Sequence, residues 1–361
     1  MVDTLAEVKL LDVKGDARER GEAHGEAMRG EIVSGIERWR EALAIIQPLT
    51  PDDFIRHIGA TTQFVEAAEQ QSPDLLVEVR GIAAGANLEF ETVFAFQLLD
   101  ECWWLSAHLA QQTSARQSCS SLALCDVNGD PLVAQTMDLP LHYDGGQLLL
   151  RFTDPVTGVR QIVFTAAGLI GLNGLNDSRL GVCVNTLSEL ACSRSGLPVA
   201  FVVRTLLNKR DLGDAVRFVE TTQHASGQNY VVASPEGIVD IEAGADSAIH
   251  YPAKGGDECV FHTNHVLVGP LVQDDPMPST TTSSRFTALQ CFFDQHSHPE
   301  LGDIKSLLSS TDGPICVLRD SGHGHTFGAC IMTLGDKPAL HVAHGPPSVM
   351  SFVQHGLVTS E

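Results

Sequence analysis

The chain has 361 residues, of which 43% are hydrophobic and 19% charged, the composition of a folded globular protein rather than a disordered one. Acidic residues outnumber basic ones 45 to 23, a formal net charge of −22. That excess leaves no set of Lys and Arg to displace counterions from nucleic acid, and it disfavours an anionic membrane surface. No apolar run reaches the roughly 20 residues that cross a bilayer. The opening residues show neither the basic flank nor the apolar stretch of a secretory signal, so a cytoplasmic location is expected. Nine cysteines without a Cys-x-x-Cys pair fit reduced thiols better than disulfides or a zinc knuckle.

In chain order, the first third reads as helical. Apolar positions recur at three and four spacing from Asp16 to Ile46. Asp52 is a cap for a second helix reaching Gln71, and Ser72-Pro73-Asp74 is a cap-and-proline start for a third. Gly81 and Gly85, with alanines between them, suit close helix packing. A fourth apolar stretch covers Phe90 to Leu105. Residues 107–117 turn polar and read as an exposed linker.

Strand signals dominate from there. Segments 118–126 and 131–136 flank Asn128-Gly129, the strongest short hairpin signal. Further strands are expected at 160–166, 180–186, 229–234, 237–242, 258–263, 314–319, 327–334 and 338–343. Helices are expected at 198–208, 212–222, 284–296 and 301–309. This pattern predicts an α+β fold of packed layers. A two-residue turn at Asn128-Gly129 would set Cys119 directly opposite Asp138, a thiol beside a carboxylate on one face. A lone cysteine is ordinarily a small buried hydrophobe, and that reading holds for the other eight. Cys119 stands apart because it ends a polar segment and opens a strand.

Ser118-Cys119-Ser120-Ser121, the hairpin and Gln135-Thr136-Met137-Asp138 resemble the penicillin acyltransferase family of N-terminal-nucleophile (Ntn) hydrolases. The resemblance runs along most of the chain. Arg20-Gly21-Glu22-Ala23-His24-Gly25 is similar to the family's opening element, and Glu78…Gly81-Ile82-Ala83…Gly85 to its next helix. Asn173-Gly174-Leu175-Asn176…Gly181…Asn185 is similar to its central strand pair. Gly227-Gln228-Asn229-Tyr230, Ile241-Glu242, Thr263-Asn264-His265, Ser283-Ser284-Arg285 and Thr326…Gly345-Pro346-Pro347 follow in order.

The resemblance implies a four-layer αββα sandwich with a helical N-terminal third, and a precursor that cuts itself between Ser118 and Cys119. Residues 1–118 would form a helical chain and residues 119–361 the Ntn-hydrolase chain. Cys119 would be the nucleophile. Its freed α-amine, with a reference pKa of about 7.7–8.0, would be the base. Asp138 would orient that amine, Asn185 and Asn264 would stabilise the oxyanion, and Arg285 would support the site. Gln135, Thr136, Tyr230 and Glu242 are expected substrate contacts. No cofactor is implied. The substrate would be a small acyl amide, with neither nucleic acid nor membrane as partner, and the processed protomers would form a homodimer.

Hydrolysis and acyl transfer would use the same residues. Water is always present, which favours an amidohydrolase. An acyltransferase moving an acyl group from an amide or CoA thioester to an amine is the alternative. Fifteen histidines raise a metal-dependent hydrolase as a further reading. His296-Ser-His298, His323-Gly-His325 and His341-Val-Ala-His344 have chelate-like spacing, but none completes a recognised pattern. A non-catalytic binding protein on the same fold is the last alternative.

Overall fold

The computed structural model describes residues 8–111, 118–126, 128–252, 259–272, 281–311, 313–318 and 325–358. Two β-sheets lie face to face between layers of helices, the predicted α+β sandwich. After one short strand at Lys9–Asp12 come seven helices: α1 (Ala17–Ala27), α2 (Arg29–Ile46), α3 (Pro51–Thr61), α4 (Phe64–Gln71), α5 (Pro73–Ala86), α6 (Phe90–Gln97) and α7 (Leu99–Ala110). The single helix expected over 16–46 breaks at Met28, and the one expected to reach 71 breaks at Thr62-Gln63. Thr50, not Asp52, caps α3, accepting from the Asp53 N–H with Pro51 in the first turn. Ser72 precedes α5 but its hydroxyl shares a hydrogen bond with that of Thr205 instead of capping. Within the expected linker, residues 107–110 continue α7, and residues 112–117 lie outside the described set.

Helices α1 and α5 touch backbone to backbone through the glycines named above. A Cβ on Gly85 would sit 2.2 Å from the Glu22 carbonyl, and one on Gly25 2.3 Å from that of Ile82. Between them lies a buried charge cluster. Arg20 donates to Glu78 at 3.2 Å, Arg204 grips both Glu78 oxygens at 2.9 and 3.1 Å, and Asp154 stands 3.7 Å from Arg20. Both guanidiniums also flank the Phe152 ring. Burial alone would raise the Glu78 carboxyl, but the two arginines outweigh it and hold it below its usual value.

The first sheet has the order β1 (Lys9–Asp12), β4 (Gln147–Thr153), β5 (Arg160–Ala166), β6 (Asn173–Asn176), β7 (Gly181–Thr186), β8 (Gln228–Ser234), β9 (Gly237–Ala243), β10 (Ala248–Tyr251). The second has β11 (Cys259–His262), β2 (Ser118–Cys125), β3 (Pro131–Leu139), β12 (His325–Thr333), β13 (Ala339–Ala343), β14 (Val353–Gly356). Helices α8 (Val199–Leu206) and α9 (Leu212–Thr221) cover the first sheet, and α10 (Thr282–Gln295) and α11 (Leu301–Leu308) the second. Alternation along β2 and β3 sorts the side chains. Leu122, Leu124, Leu132 and Ala134 pack under α10 and α11, while Cys119, Ala123, Val133 and Met137 face the first sheet.

Two strand expectations are corrected. In the segment expected as a strand over 314–319, residues 314–316 form turn and bend, 317 and 318 have no regular structure and 319 lies outside the described residues, although Val317 and Thr326 still exchange hydrogen bonds. The β2–β3 register is also one residue off: Cys119 pairs with Met137, and Asp138 with Ser118. The cause is the turn. Asp126 N–H donates to the Asp130 carbonyl across a three-residue loop, Gly129 takes φ +81°, and the Asp126 carboxylate accepts from Asn128 and Asp130 N–H. The thiol and the carboxylate therefore point to opposite faces of the hairpin.

Candidate active site

Cys119 is the second residue of strand β2, 5% exposed, and its main chain is held at both ends by distant side chains. Its N–H donates to Asn264 Oδ1 at 2.7 Å. Its carbonyl accepts from Arg285 Nη1, which also donates to Ser120 Oγ at 3.0 Å. Arg285 Nη2 closes the ring on Asn264 Oδ1 at 2.9 Å. Asn264 is fixed in turn by Thr282, whose Oγ1 accepts its N–H, and its Nδ2 donates to the Thr186 carbonyl at 3.1 Å. One guanidinium and one carboxamide, from α10 itself and from the chain ahead of it, thus hold the two peptide units that flank the Cys119 α-carbon.

Asp138 lies on the helix-facing side of the hairpin. Its Oδ1 accepts from Thr326 Oγ1 at 2.6 Å, and its Oδ2 is buried without a hydrogen-bond partner among the described residues. Burial pushes this carboxyl up to about 6, against the opposing pull of Arg285. Burial also pushes the Cys119 thiol up to about 12, with the Asp138 charge adding to the rise and Arg285 opposing it. At neutral pH such a thiol stays protonated, so its proton must pass to a neighbouring group as it attacks.

Asn185, on β7, accepts from Ser121 Oγ, and its Nδ2 is a buried donor without a partner among the described residues. A cleft opens beside Cys119, lined by Gln135, Met137 and Leu139 from β3, Val184 and Thr186 from β7, and Gly171 and Leu172. Leu99 and Asp100 from α7 and Val199, Ala200 and Val203 from α8 complete it. The cleft exists because β6 begins only at Asn173, so the sheet parts beside the end of β7.

Of the expected substrate contacts, Gln135 lines the cleft. It is fixed by Asn173 Nδ2 at 2.9 Å and by its own donation to the Val184 carbonyl. Thr136 points to the other face of β3 and is buried there. The Tyr230 hydroxyl bonds His224 at 3.0 Å, and neither Tyr230 nor Glu242 is part of the cleft wall. Glu242 instead anchors the segment carrying Asn264, accepting from His262 Nε2 at 2.9 Å and from the Leu267 N–H at 2.5 Å.

Asp100 escapes the sequence reading. It sits in an apolar helix, and only its seat on the cleft wall singles it out. Among the described residues, no group of three His, Cys, Asp or Glu side chains is placed to hold a metal ion, and His323 lies outside them. No helix among them is long and apolar enough to cross a membrane.

Residues 125–342 match the family profile described as acyl-coenzyme A:6-aminopenicillanic acid acyl-transferase. The chain belongs to this family. It is thereby an enzyme of the Ntn-hydrolase group, and the match spans Asp138, Asn185, Asn264 and Arg285 but begins after Cys119. Comparison with curated proteins gives no match. Among solved structures, an N-acylethanolamine-hydrolyzing acid amidase orthologue from Caenorhabditis elegans aligns at 18% identity and TM-score 0.46, over 60% of this chain and 93% of its own. A mutant form of conjugated bile acid hydrolase from Clostridium perfringens aligns at 12% identity and TM-score 0.48, over 67% of this chain and 95% of its own. Penicillin V acylase from Agrobacterium tumefaciens aligns at 12% identity and TM-score 0.41, over 63% of this chain and 83% of its own.

Proposed function

We propose that this family member is a self-processing cysteine amidohydrolase that cleaves small N-acyl compounds through an acyl-Cys119 intermediate. The observation that carries the reading is the double grip on Cys119, whose N–H is held by Asn264 and whose carbonyl is held by Arg285, at the mouth of an apolar cleft. In the first, single event, Cys119 Sγ attacks the Ser118 carbonyl carbon. The Ser118–Cys119 C–N bond breaks, the thiol proton passes to the departing nitrogen, and water hydrolyses the resulting thioester. The chain becomes two pieces, 1–118 and 119–361.

The new α-amine supplies the base that a thiol near 12 lacks. The unpartnered Asp138 Oδ2 is an acceptor suited to the ammonium form of that amine. In turnover the thiol adds to the substrate carbonyl, the amine takes and returns the proton, the substrate C–N bond breaks, and water releases the acid. The unpartnered Asn185 Nδ2 is a donor for the oxyanion, as is the second hydrogen of Asn264 Nδ2. One such donor is worth about 3–4 kcal/mol. The family match favours a second acceptor, an amine in place of water. Product ratios that change on adding amines would select that version.

The test is the intact mass of the denatured protein beside Cys119→Ala. Two fragments meeting at 118/119 in the wild type, and one uncut chain in the variant, are expected. An uncut wild-type chain removes the α-amine as base and refutes the proposal.

A further inference from the structure

In the Arg20–Glu78–Arg204 cluster a buried carboxylate is answered by two guanidiniums. Asp100 and Glu101 have no such answer. Both are buried, both lie on α7, and among the described residues neither has an ion pair. Asp100 Oδ1 accepts from Thr186 Oγ1 at 3.0 Å and Oδ2 from Gln228 Nε2 at 2.6 Å. Glu101 Oε1 accepts from Ser226 Oγ at 2.7 Å and the Val199 N–H at 3.1 Å. Among the described residues, Gln228 Oε1 and Glu101 Oε2 are buried with no donor. The cluster is therefore rich in acceptors, short of donors and without a cation. A buried carboxylate in that state is costly unless it takes up a proton or a cation reaches it.

Among the described residues, Asp100 is the only charged side chain on the cleft wall, set between apolar neighbours such as Leu99, Leu172, Val199 and Val203. An apolar chain ending in a donor-rich cation satisfies both features at once. We propose that Asp100 determines specificity in this cleft by receiving an ammonium group at the end of the substrate's acyl chain. The acyl side is assigned because the leaving amine must depart to solvent after the first step, whereas the acyl group stays on Cys119 inside the cleft. This rests on the amidohydrolase reading above and narrows its substrates to N-(aminoacyl) amides. Asp100 acts by binding, since the bond-breaking chemistry is assigned to Cys119.

The test compares ω-aminoalkanoyl p-nitroanilides with their n-alkanoyl twins of equal length, on processed wild type and Asp100→Asn. The expected kcat/KM ratio, aminoacyl over alkanoyl, is tenfold or more in the wild type and near one in the variant. A wild-type ratio near or below one overturns the assignment while leaving the amidohydrolase reading in place. If neither anilide is turned over, calorimetric titration with n-pentylammonium against n-pentanol reads the same preference without chemistry. Tighter binding of the ammonium, lost in Asp100→Asn, supports the carboxylate's role. Equal binding of the two overturns it.

Discussion

Replacing Glu78 with Gln tests how the charge cluster beneath the cleft supports the fold. Glu78 is 3% exposed and answers two guanidiniums that are equally buried. The carboxamide oxygen can serve one arginine, but its NH2 must then face a donor of the other. With Asp154 still 3.7 Å from Arg20, the cluster changes from neutral to one uncompensated positive charge. Breaking a buried pair from one side costs about 3–5 kcal/mol. At about 2.1 cal/mol/K per residue, unfolding a chain of 361 residues carries roughly 0.75 kcal/mol/K. A Tm drop of about 4–7 °C follows. Differential scanning calorimetry of the two proteins measures it. Arg204 also donates to the Ile170 carbonyl, next to Gly171 and Leu172 of the cleft wall, so KM should rise alongside. A Tm within about 1 °C of wild type, with KM unchanged, would refute the view that this cluster braces the cleft.

Three further outcomes are expected. Arg285→Lys loses the fork that spans Cys119, Ser120 and Asn264, and a charge-assisted hydrogen bond worth about 1.5–3 kcal/mol predicts cleavage at 118/119 slowed roughly ten- to a hundredfold, followed on denaturing gels. Burial, and then the Asp100 charge, push the Glu101 carboxyl up to about 7. A raised acid contributes stability that is full below its unfolded value and is lost as pH rises through its folded value. Glu101→Gln should therefore gain on wild type between pH 5 and 8 by up to about 3 kcal/mol, read as a growing Tm difference; a constant difference would contradict it. Gly85→Ala must push α1 from α5, costing about 1–3 kcal/mol in urea titration, whereas Gly59→Ala, with open space around it, should cost nothing from crowding.

Much of this fold is legible because its signals are local. Short apolar, β-branched-rich runs bounded by polar or turn residues mark β5, β7, β8, β9 and β13 to within a residue or two. Four-residue strands such as β1, β10 and β14 carry too few positions to show a period, and β1 finds its partner β4 far along the chain. The hairpin register escapes the sequence because Asn128-Gly129 reads as a two-residue turn until Asp126 is seen accepting two N–H groups across a longer loop. Cys119, Asn264 and Arg285 lie far apart in sequence, so only the family resemblance, not periodicity, links them. Asp100 and Glu101 follow no motif. Their meaning comes from the absence of a guanidinium beside them among the described residues, which spacing does not record.

The grip on Cys119 also has a temporal consequence. Its holders come from positions 264 and 285, and both reach it only after β11 has paired with β2 and α10 has packed on the second sheet. A nascent chain lacking those segments has no such grip, however long it waits. A cut at 118/119 would then act as an internal timestamp, recording that each molecule had finished folding. Because β1 is an edge strand of the first sheet, the severed N-terminal piece would stay woven into the product until the whole protein unfolds.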